Sequence, residues 1–264
     1  MHLPKPYLGM GTWGMGGKYE RDPSNIEQSI EVLRYGLQLG LRLIDAAELY
    51  GEGLTEEIVG KAIKGHNRED LSLISKVWKT HLAYDDVLRA AEGSLKRLDT
   101  PYIDLYLIHY PNPEVPLQET LRAMERLVSD GTVKAIGVSN SSISDMGAVQ
   151  ALLTSTSLTA NQIEYNLLHQ EAGADTIPYC RTHDIDVIAY RPFAKGMLAQ
   201  HPNTVLEELA KKYGKTPNQI ALNWIISQGI FAIPKSSNLA HIEENAGALG
   251  WELSQEDIER LRVT

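Results

Sequence analysis

Short apolar, β-branched segments recur roughly every thirty residues along this chain, and helical patterns fill the intervals between them. That alternation is the strongest constraint on the fold. It implies repeated βαβ units around a parallel sheet, because parallel strands covered on both faces read as continuous apolar runs. The segments fall at residues 7–11, 42–45, 73–76, 103–109, 135–139, 160–163, 187–190 and 231–234. Eight such strands suffice to close a barrel, and 264 residues match the usual size of one (β/α)8 unit. The expectation is α/β, a single-domain TIM barrel spanning residues 1–264, since no composition shift, low-complexity stretch or charge run marks a boundary.

Helix start signals support that reading. Asp22-Pro23 offers an N-cap and a first-turn proline ahead of Ile26, Ile30, Leu33 and Leu37. Thr216-Pro217-Asn218-Gln219 forms a capping-box pattern, and Ser254 with Asp257 opens a last short helix in the same way. The interval between Tyr190 and Phe231 holds two helical patterns, so an extra helix is expected after strand seven.

Polar residues close three of the apolar runs: Asp45, with Tyr50 shortly after it, then Lys76, then His109. In an α/β barrel these strand ends emerge at the face where active sites are built. A phenol with a pKa of about 10 is a poor acid near neutrality. An ammonium beside it would lower that value by stabilising phenolate, and a carboxylate would hold the ammonium charged and in place. The quartet is therefore expected to supply a proton to an oxygen on which negative charge develops, with Tyr50 as the acid, Lys76 and Asp45 behind it, and His109 donating to or orienting a carbonyl. A second reading, in which Asp45 and Lys76 are a buried ion pair and nothing more, leaves the cost of burying them unexplained.

The segments Asp45-Ala46-Ala47-Glu48-Leu49-Tyr50-Gly51, Ile74-Ser75-Lys76-Val77-Trp78 and Leu107-Ile108-His109 resemble the three tetrad-bearing segments of the aldo-keto reductases. Gly137-Val138-Ser139-Asn140, Asn161-Gln162-Ile163-Glu164-Tyr165-Asn166, Tyr190-Arg191-Pro192 and Ile233-Pro234-Lys235-Ser236 are similar to that family's later strand-end motifs, in order. The resemblance, to a short, prokaryotic-type member, implies a nicotinamide cofactor extended across the mouth of the barrel. It implies that Ser139, Asn140 and Gln162 bond the carboxamide and that Tyr190 stacks on the nicotinamide ring, barrel packing being the other reading of Tyr190. Arg191 departs from the pattern, since relatives often carry small polar residues there; it adds a charge beside the loop of Pro192, Lys195 and Gly196 and is expected to face the pyrophosphate, with a merely solvated arginine as an equal alternative. Lys235, Ser236, His241, Glu244 and Asn245 would hold the adenosine end. Where NADPH-preferring relatives carry an arginine, this chain has His241, and an imidazole lacks the charged bidentate fork of a guanidinium. The expected cofactor is NADPH with appreciable use of NADH.

Gly9-Met10-Gly11-Thr12-Trp13-Gly14 matches a dinucleotide-binding glycine pattern literally, yet Gly16-Gly17 and a polar stretch follow it instead of a helix. A first strand end with its loop explains it better. Trp13, Trp78 and Tyr110 would then wall the substrate, against a reading in which at least one of them packs in the core. Relatives often carry tryptophan at the Tyr110 position. The chain stops at Thr264, soon after the Ser254 helix, so an open and permissive site is expected.

The expected reaction is reduction of aldehydes or ketones to alcohols. The alternatives are the reverse direction, as a sugar or steroid alcohol dehydrogenase, and a cofactor-sensing binding protein like the channel β-subunits that share the barrel. A metal-dependent hydrolase would need more strand-end ligands than Asp45 and His109 offer, and no metal is expected. With 34 acidic against 25 basic residues, the net charge of −9 argues against nucleic acid or anionic membranes as partners. One cysteine, Cys180, allows no intrachain disulfide, and no apolar run approaches the roughly 18 residues of a membrane span. A cytoplasmic monomer acting on a small molecule is the resulting expectation.

Overall fold

The computed structural model describes residues 3–200 and 203–262. Eight strands are hydrogen-bonded in sequence order: β1 (Gly9–Gly11), β2 (Leu43–Asp45), β3 (Ser72–Val77), β4 (Ile103–Ile108), β5 (Val133–Ser139), β6 (Leu158–Glu164), β7 (Asp186–Tyr190) and β8 (Phe231–Ala232). All seven neighbouring pairs are parallel. The seam between β8 and β1 is closed by single bonds: Ala232 N–H donates to the Tyr7 carbonyl at 2.8 Å and Gly11 N–H to the Pro234 carbonyl at 3.0 Å. Gly11 is required there, because a Cβ would lie 2.6 Å from the Ile233 carbonyl oxygen. The fold is the expected (β/α)8 barrel.

Outside the strands lie α1 (Ile26–Gln38), α2 (Leu54–Ile63), α3 (Tyr84–Leu98), α4 (Leu117–Ser129), α5 (Ile143–Leu152), α6 (Thr176–Thr182), α7 (Thr204–Tyr213), α8 (Pro217–Ile226), α9 (Leu239–Ala246) and α10 (Gln255–Arg262). The additional helix expected after strand seven is α7. Thr216 and Gln219 form the expected reciprocal capping box at α8. Asp22 caps a short 3-10 turn, Pro23–Asn25, that leads into α1. The Ser254 hydroxyl accepts the Asp257 N–H at the start of α10, but the backbone half of the box is missing: Ser254 N–H donates to the Tyr213 hydroxyl, and the Asp257 carboxylate takes the Ser254 hydroxyl, Lys212 and Tyr213.

Two cores result. The larger lies between strands and helices, with Leu33, Ile58, Tyr106, Met124 and Trp224 fully covered. The smaller fills the barrel: Leu43, Ile74, Leu105, Leu107, Ala135, Ala160, Ile188, Phe231 and Ile233. This inner set positions the site. Side chains two residues apart on a strand share a face, so Leu43 is followed inward by Asp45, Ile74 by Lys76, Leu107 by His109, Ala160 by Gln162 and Ile188 by Tyr190. Each of these five strands thus presents a polar group one step above its apolar plug. No helix among the described residues is long and apolar enough to cross a membrane.

Candidate active site

The strand ends bring the expected quartet together. Lys76 is fully buried, and its ammonium spends all three donors: on Asp45 Oδ1 at 2.8 Å, on the Ala46 carbonyl at 2.8 Å, and on the Tyr50 hydroxyl at 3.2 Å. Asp45, also buried, takes a second bond at the same oxygen from Gln162 Nε2, at 2.7 Å. Tyr50 reaches this group from the turn that follows β2, where Gly51 and Gly53 adopt positive φ; a Cβ on Gly51 would fall 2.3 Å from the Gly16 carbonyl oxygen.

The electrostatics correct one expectation. Tyr50 is not made more acidic in this structure: burial first, and then the Asp45 charge, push its phenol well above its ordinary value. Burial and the Asp45 charge both favour the neutral phenol. Since Lys76 donates to the Tyr50 oxygen, the hydroxyl's own hydrogen is free to point elsewhere. Burial also lowers the Lys76 pKa, against the opposing pull of Asp45 and, more weakly, Glu56.

His109 is neutral. Burial and the Lys76 charge hold its pKa down to about 2. Its Nδ1 is buried with no hydrogen-bond partner. An unpaired acceptor is cheaper to bury than an unpaired N–H, which favours the tautomer with the proton on Nε2 and makes the ring a donor at that atom.

Aromatic rings frame the mouth. Trp13 stands edge-on to Tyr50 with centroids 4.8 Å apart, and Trp78 stands edge-on to His109 at 5.1 Å and to Tyr110 at 5.7 Å. Tyr110 stacks on His109 at 5.4 Å. None of the three expected wall residues is lost to the core. The sequence reading missed a fourth ring, Tyr19, which packs edge-on to Trp13 at 5.2 Å and is 64% exposed. A lone tyrosine in a glycine-rich loop carries no periodic signal that would have found it.

The later strand ends converge on the same mouth. The Tyr190 hydroxyl donates to Asn140 Oδ1 at 2.7 Å, and Asn140 Nδ2 donates to Ser139 Oγ at 2.9 Å and to the His109 carbonyl at 3.3 Å. Ser139 Oγ donates to the Gln162 carbonyl at 3.0 Å. The amides expected to face a carboxamide are thus tied to one another and, through Gln162, to Asp45. Asn140, Arg191, Ala194 and Lys195 all take positive φ, a strained backbone for residues with a Cβ, clustered after β5 and β7. Pro192 and Gly196 belong to the same loop, and Gly196 has open space around it. Arg191 is neither free in solvent nor simply aimed into the mouth: it pairs with Glu164 at 2.8 Å, with its guanidinium 5.4 Å from the Tyr190 ring centroid.

After β8, the buried Asn245 amide donates to the buried Ser236 hydroxyl at 2.8 Å. Partial burial and the neighbouring Lys18 ammonium both depress the Lys235 pKa. A partly buried cation whose charged form is disfavoured is relieved by an anion, a property suited to a phosphate group. His241 is exposed on the first turn of α9, its N–H donating to Asn238 Oδ1 at 2.9 Å and its ring Nδ1 lying 3.3 Å from Asn238 Nδ2. The Glu244 carboxylate is engaged by Thr216 at 2.7 Å and by Asn218, which fastens α9 to α8.

Comparison with known proteins agrees with this geometry. The model of the Aldo/keto reductase family matches residues 7–263. The chain is 37% identical over 260 residues to methylglyoxal reductase YeaE of Escherichia coli (strain K12), covering 97% of this chain and 89% of that one. Its fold superposes with a TM-score of 0.92 on the thermostable aldo-keto reductase Tm1743 bound to the inhibitor epalrestat, at 41% identity over 98% of this chain and 95% of that one. An aldo-keto reductase from Klebsiella pneumoniae in complex with NADPH gives a TM-score of 0.89 at 38% identity, over 97% and 89% of the two chains. The chain belongs to the aldo/keto reductase family.

Proposed function

We propose that this protein is an NADPH-dependent reductase of small aldehydes and ketones, with Tyr50 as the proton donor. The observation that carries the reading is the bonding of Lys76: its three donors are filled by Asp45, Ala46 and the Tyr50 oxygen, which leaves the Tyr50 proton available to a group entering the mouth. The neutral phenol is the form a proton donor needs. When Tyr50 gives up its proton, the phenolate oxygen keeps the Lys76 N–H bond, and the ammonium then stabilises the charge that forms. Asp45 keeps Lys76 charged. His109, neutral and with its donor on Nε2, orients the carbonyl oxygen toward the Tyr50 hydroxyl.

The residues at the mouth fit a nicotinamide dinucleotide. Tyr190 offers an aromatic face fixed through its hydroxyl, and the partly buried Lys235 ammonium offers a charge for phosphate. Ser139, Asn140 and Gln162 would hold the carboxamide, Arg191, Pro192, Lys195 and Gly196 the pyrophosphate, and Lys235, Ser236, His241, Glu244 and Asn245 the adenosine end. Bound there, the cofactor supplies the hydride to the carbonyl carbon. Because His241 has no charged fork, discrimination for NADPH over NADH is modest. Trp13, Trp78 and Tyr110 line the substrate end, and the similarity to methylglyoxal reductase YeaE makes methylglyoxal the first compound to try.

The test is loss of the near-ultraviolet absorbance of NADPH, and separately of NADH, with purified protein and a panel of aldehydes and ketones that includes methylglyoxal. Turnover with both cofactors, faster with NADPH, is expected. Cofactor binding without turnover of any panel member would favour a sensing role over an enzyme.

A further inference from the structure

One carboxylate at the mouth has no part in the proton transfer. Glu48 lies two residues before Tyr50, and its side chain is only 10% exposed. Its Oε1 accepts the backbone N–H of Trp78 at 2.6 Å and lies 3.0 Å from His81 Nδ1. A backbone N–H bonded to a carboxylate is among the stronger and better-oriented contacts a loop can make. Trp78 is the first residue beyond β3, and its indole is the one set edge-on against His109 and Tyr110. From the opposite side, Asn112 Nδ2 donates to the carbonyl of the next residue, Lys79, at 3.0 Å. The loop after β3 is thus held from the loop after β2 by Glu48 and from the loop after β4 by Asn112.

We propose that Glu48 is a positioning residue for the substrate: its carboxylate fixes the loop that sets the Trp78 indole against His109, and so sets the width of the substrate end of the mouth. This rests on the reading of Trp78 as a substrate wall. Without the bond, Trp78 N–H must find water, and the indole can swing from the His109 edge. Substrate binding is then affected more than chemistry, because Tyr50, Lys76 and Asp45 are bonded to one another independently of Glu48.

The test compares Glu48→Ala, Glu48→Asp and Glu48→Gln. Alanine removes the acceptor, aspartate withdraws it by one methylene while keeping the charge, and glutamine keeps an acceptor oxygen at the same reach. Alanine and aspartate should raise KM for the aldehyde about tenfold with a smaller fall in kcat, while glutamine stays within about threefold of the parent. The Kd for NADPH should not change in any of them, and His81→Ala should behave as the parent. A second readout follows Trp78 itself: the emission of each protein minus that of its Trp78→Phe counterpart should become more quenchable by acrylamide in the alanine and aspartate variants. Unchanged KM and quenching in both would overturn the proposal. So would a parallel rise in KM and in cofactor Kd, which would make Glu48 a support of the whole mouth. If the parent reduces no aldehyde, the proposed function fails, while the quenching comparison still decides whether Glu48 holds Trp78.

Discussion

Replacing Asp45 with asparagine keeps the shape of the side chain and an oxygen for Gln162 and Lys76, but removes the charge that faces Lys76. At the observed 2.8 Å, and with an effective dielectric of about 20, two unit charges attract by about 6 kcal/mol. Part of this is returned by the amide dipole and by solvent, and breaking a buried pair costs about 3–5 kcal/mol in practice. Burial already lowers the Lys76 pKa, and Asp45 is the main group opposing it. In Asp45→Asn the pKa therefore falls further. The unfolded chain keeps an ordinary lysine near about 10.4, so at pH values between the folded and unfolded pKa the unfolded state binds more protons than the folded one. Stability then rises with pH, by up to about 1.4 kcal/mol per unit, and is lost as pH falls toward the folded pKa. The parent has the same slope only over a narrower window, because Asp45 holds the folded pKa higher. The deficit of the variant should thus shrink as pH rises toward the unfolded lysine value of about 10.4, as read from urea unfolding midpoints. Turnover at neutral pH should drop about a hundredfold as the phenolate loses its ammonium. A stability deficit that does not change with pH would refute the reasoning, since Lys76 would then not be titrating in response to Asp45.

Three further outcomes follow. His241→Arg should raise the NADPH to NADH ratio of kcat/KM about tenfold or more by supplying the missing fork to a 2′-phosphate; an unchanged ratio would remove the adenosine end from α9. His109 is neutral when folded down to about pH 2 but would protonate below about 6.5 when unfolded, so the parent should lose stability as pH falls through that window, by up to about 1.4 kcal/mol per unit, and His109→Gln should flatten that limb of the urea-derived stability profile. Gly11→Ala places a Cβ 2.6 Å from the Ile233 carbonyl at the seam of the barrel, and a depressed melting temperature or loss of soluble protein is expected.

The fold was legible because barrel strands are buried on both faces, so each of the eight left an apolar run in the sequence. Its ends were less so. β8 is only two residues long, because its later bonds are single contacts across the seam rather than a ladder, and the run at 231–234 reads the same either way. The quartet was legible because period-two alternation carries each inner apolar residue to a polar group at the strand end. What no local pattern shows is how the charges add. The Asp45 charge acts on both Lys76 and Tyr50, and the engagement of Gln162 with Asp45 spans 117 residues. Glu48 stood inside the recognised segment, where a carboxylate between Asp45 and Tyr50 was the available signal. Its partner, Trp78 N–H, is a backbone group on another strand end, invisible to side-chain spacing.

The most direct test of the account is Tyr50→Phe, which removes one hydroxyl from the bond with Lys76 and leaves the aromatic contact with Trp13 in place. Aldehyde reduction should fall by about a hundredfold to ten-thousandfold in kcat, while the Kd for NADPH, from quenching of protein fluorescence, stays within a few-fold of the parent. Retention of turnover within tenfold of the parent would contradict the assignment of Tyr50 as the proton donor.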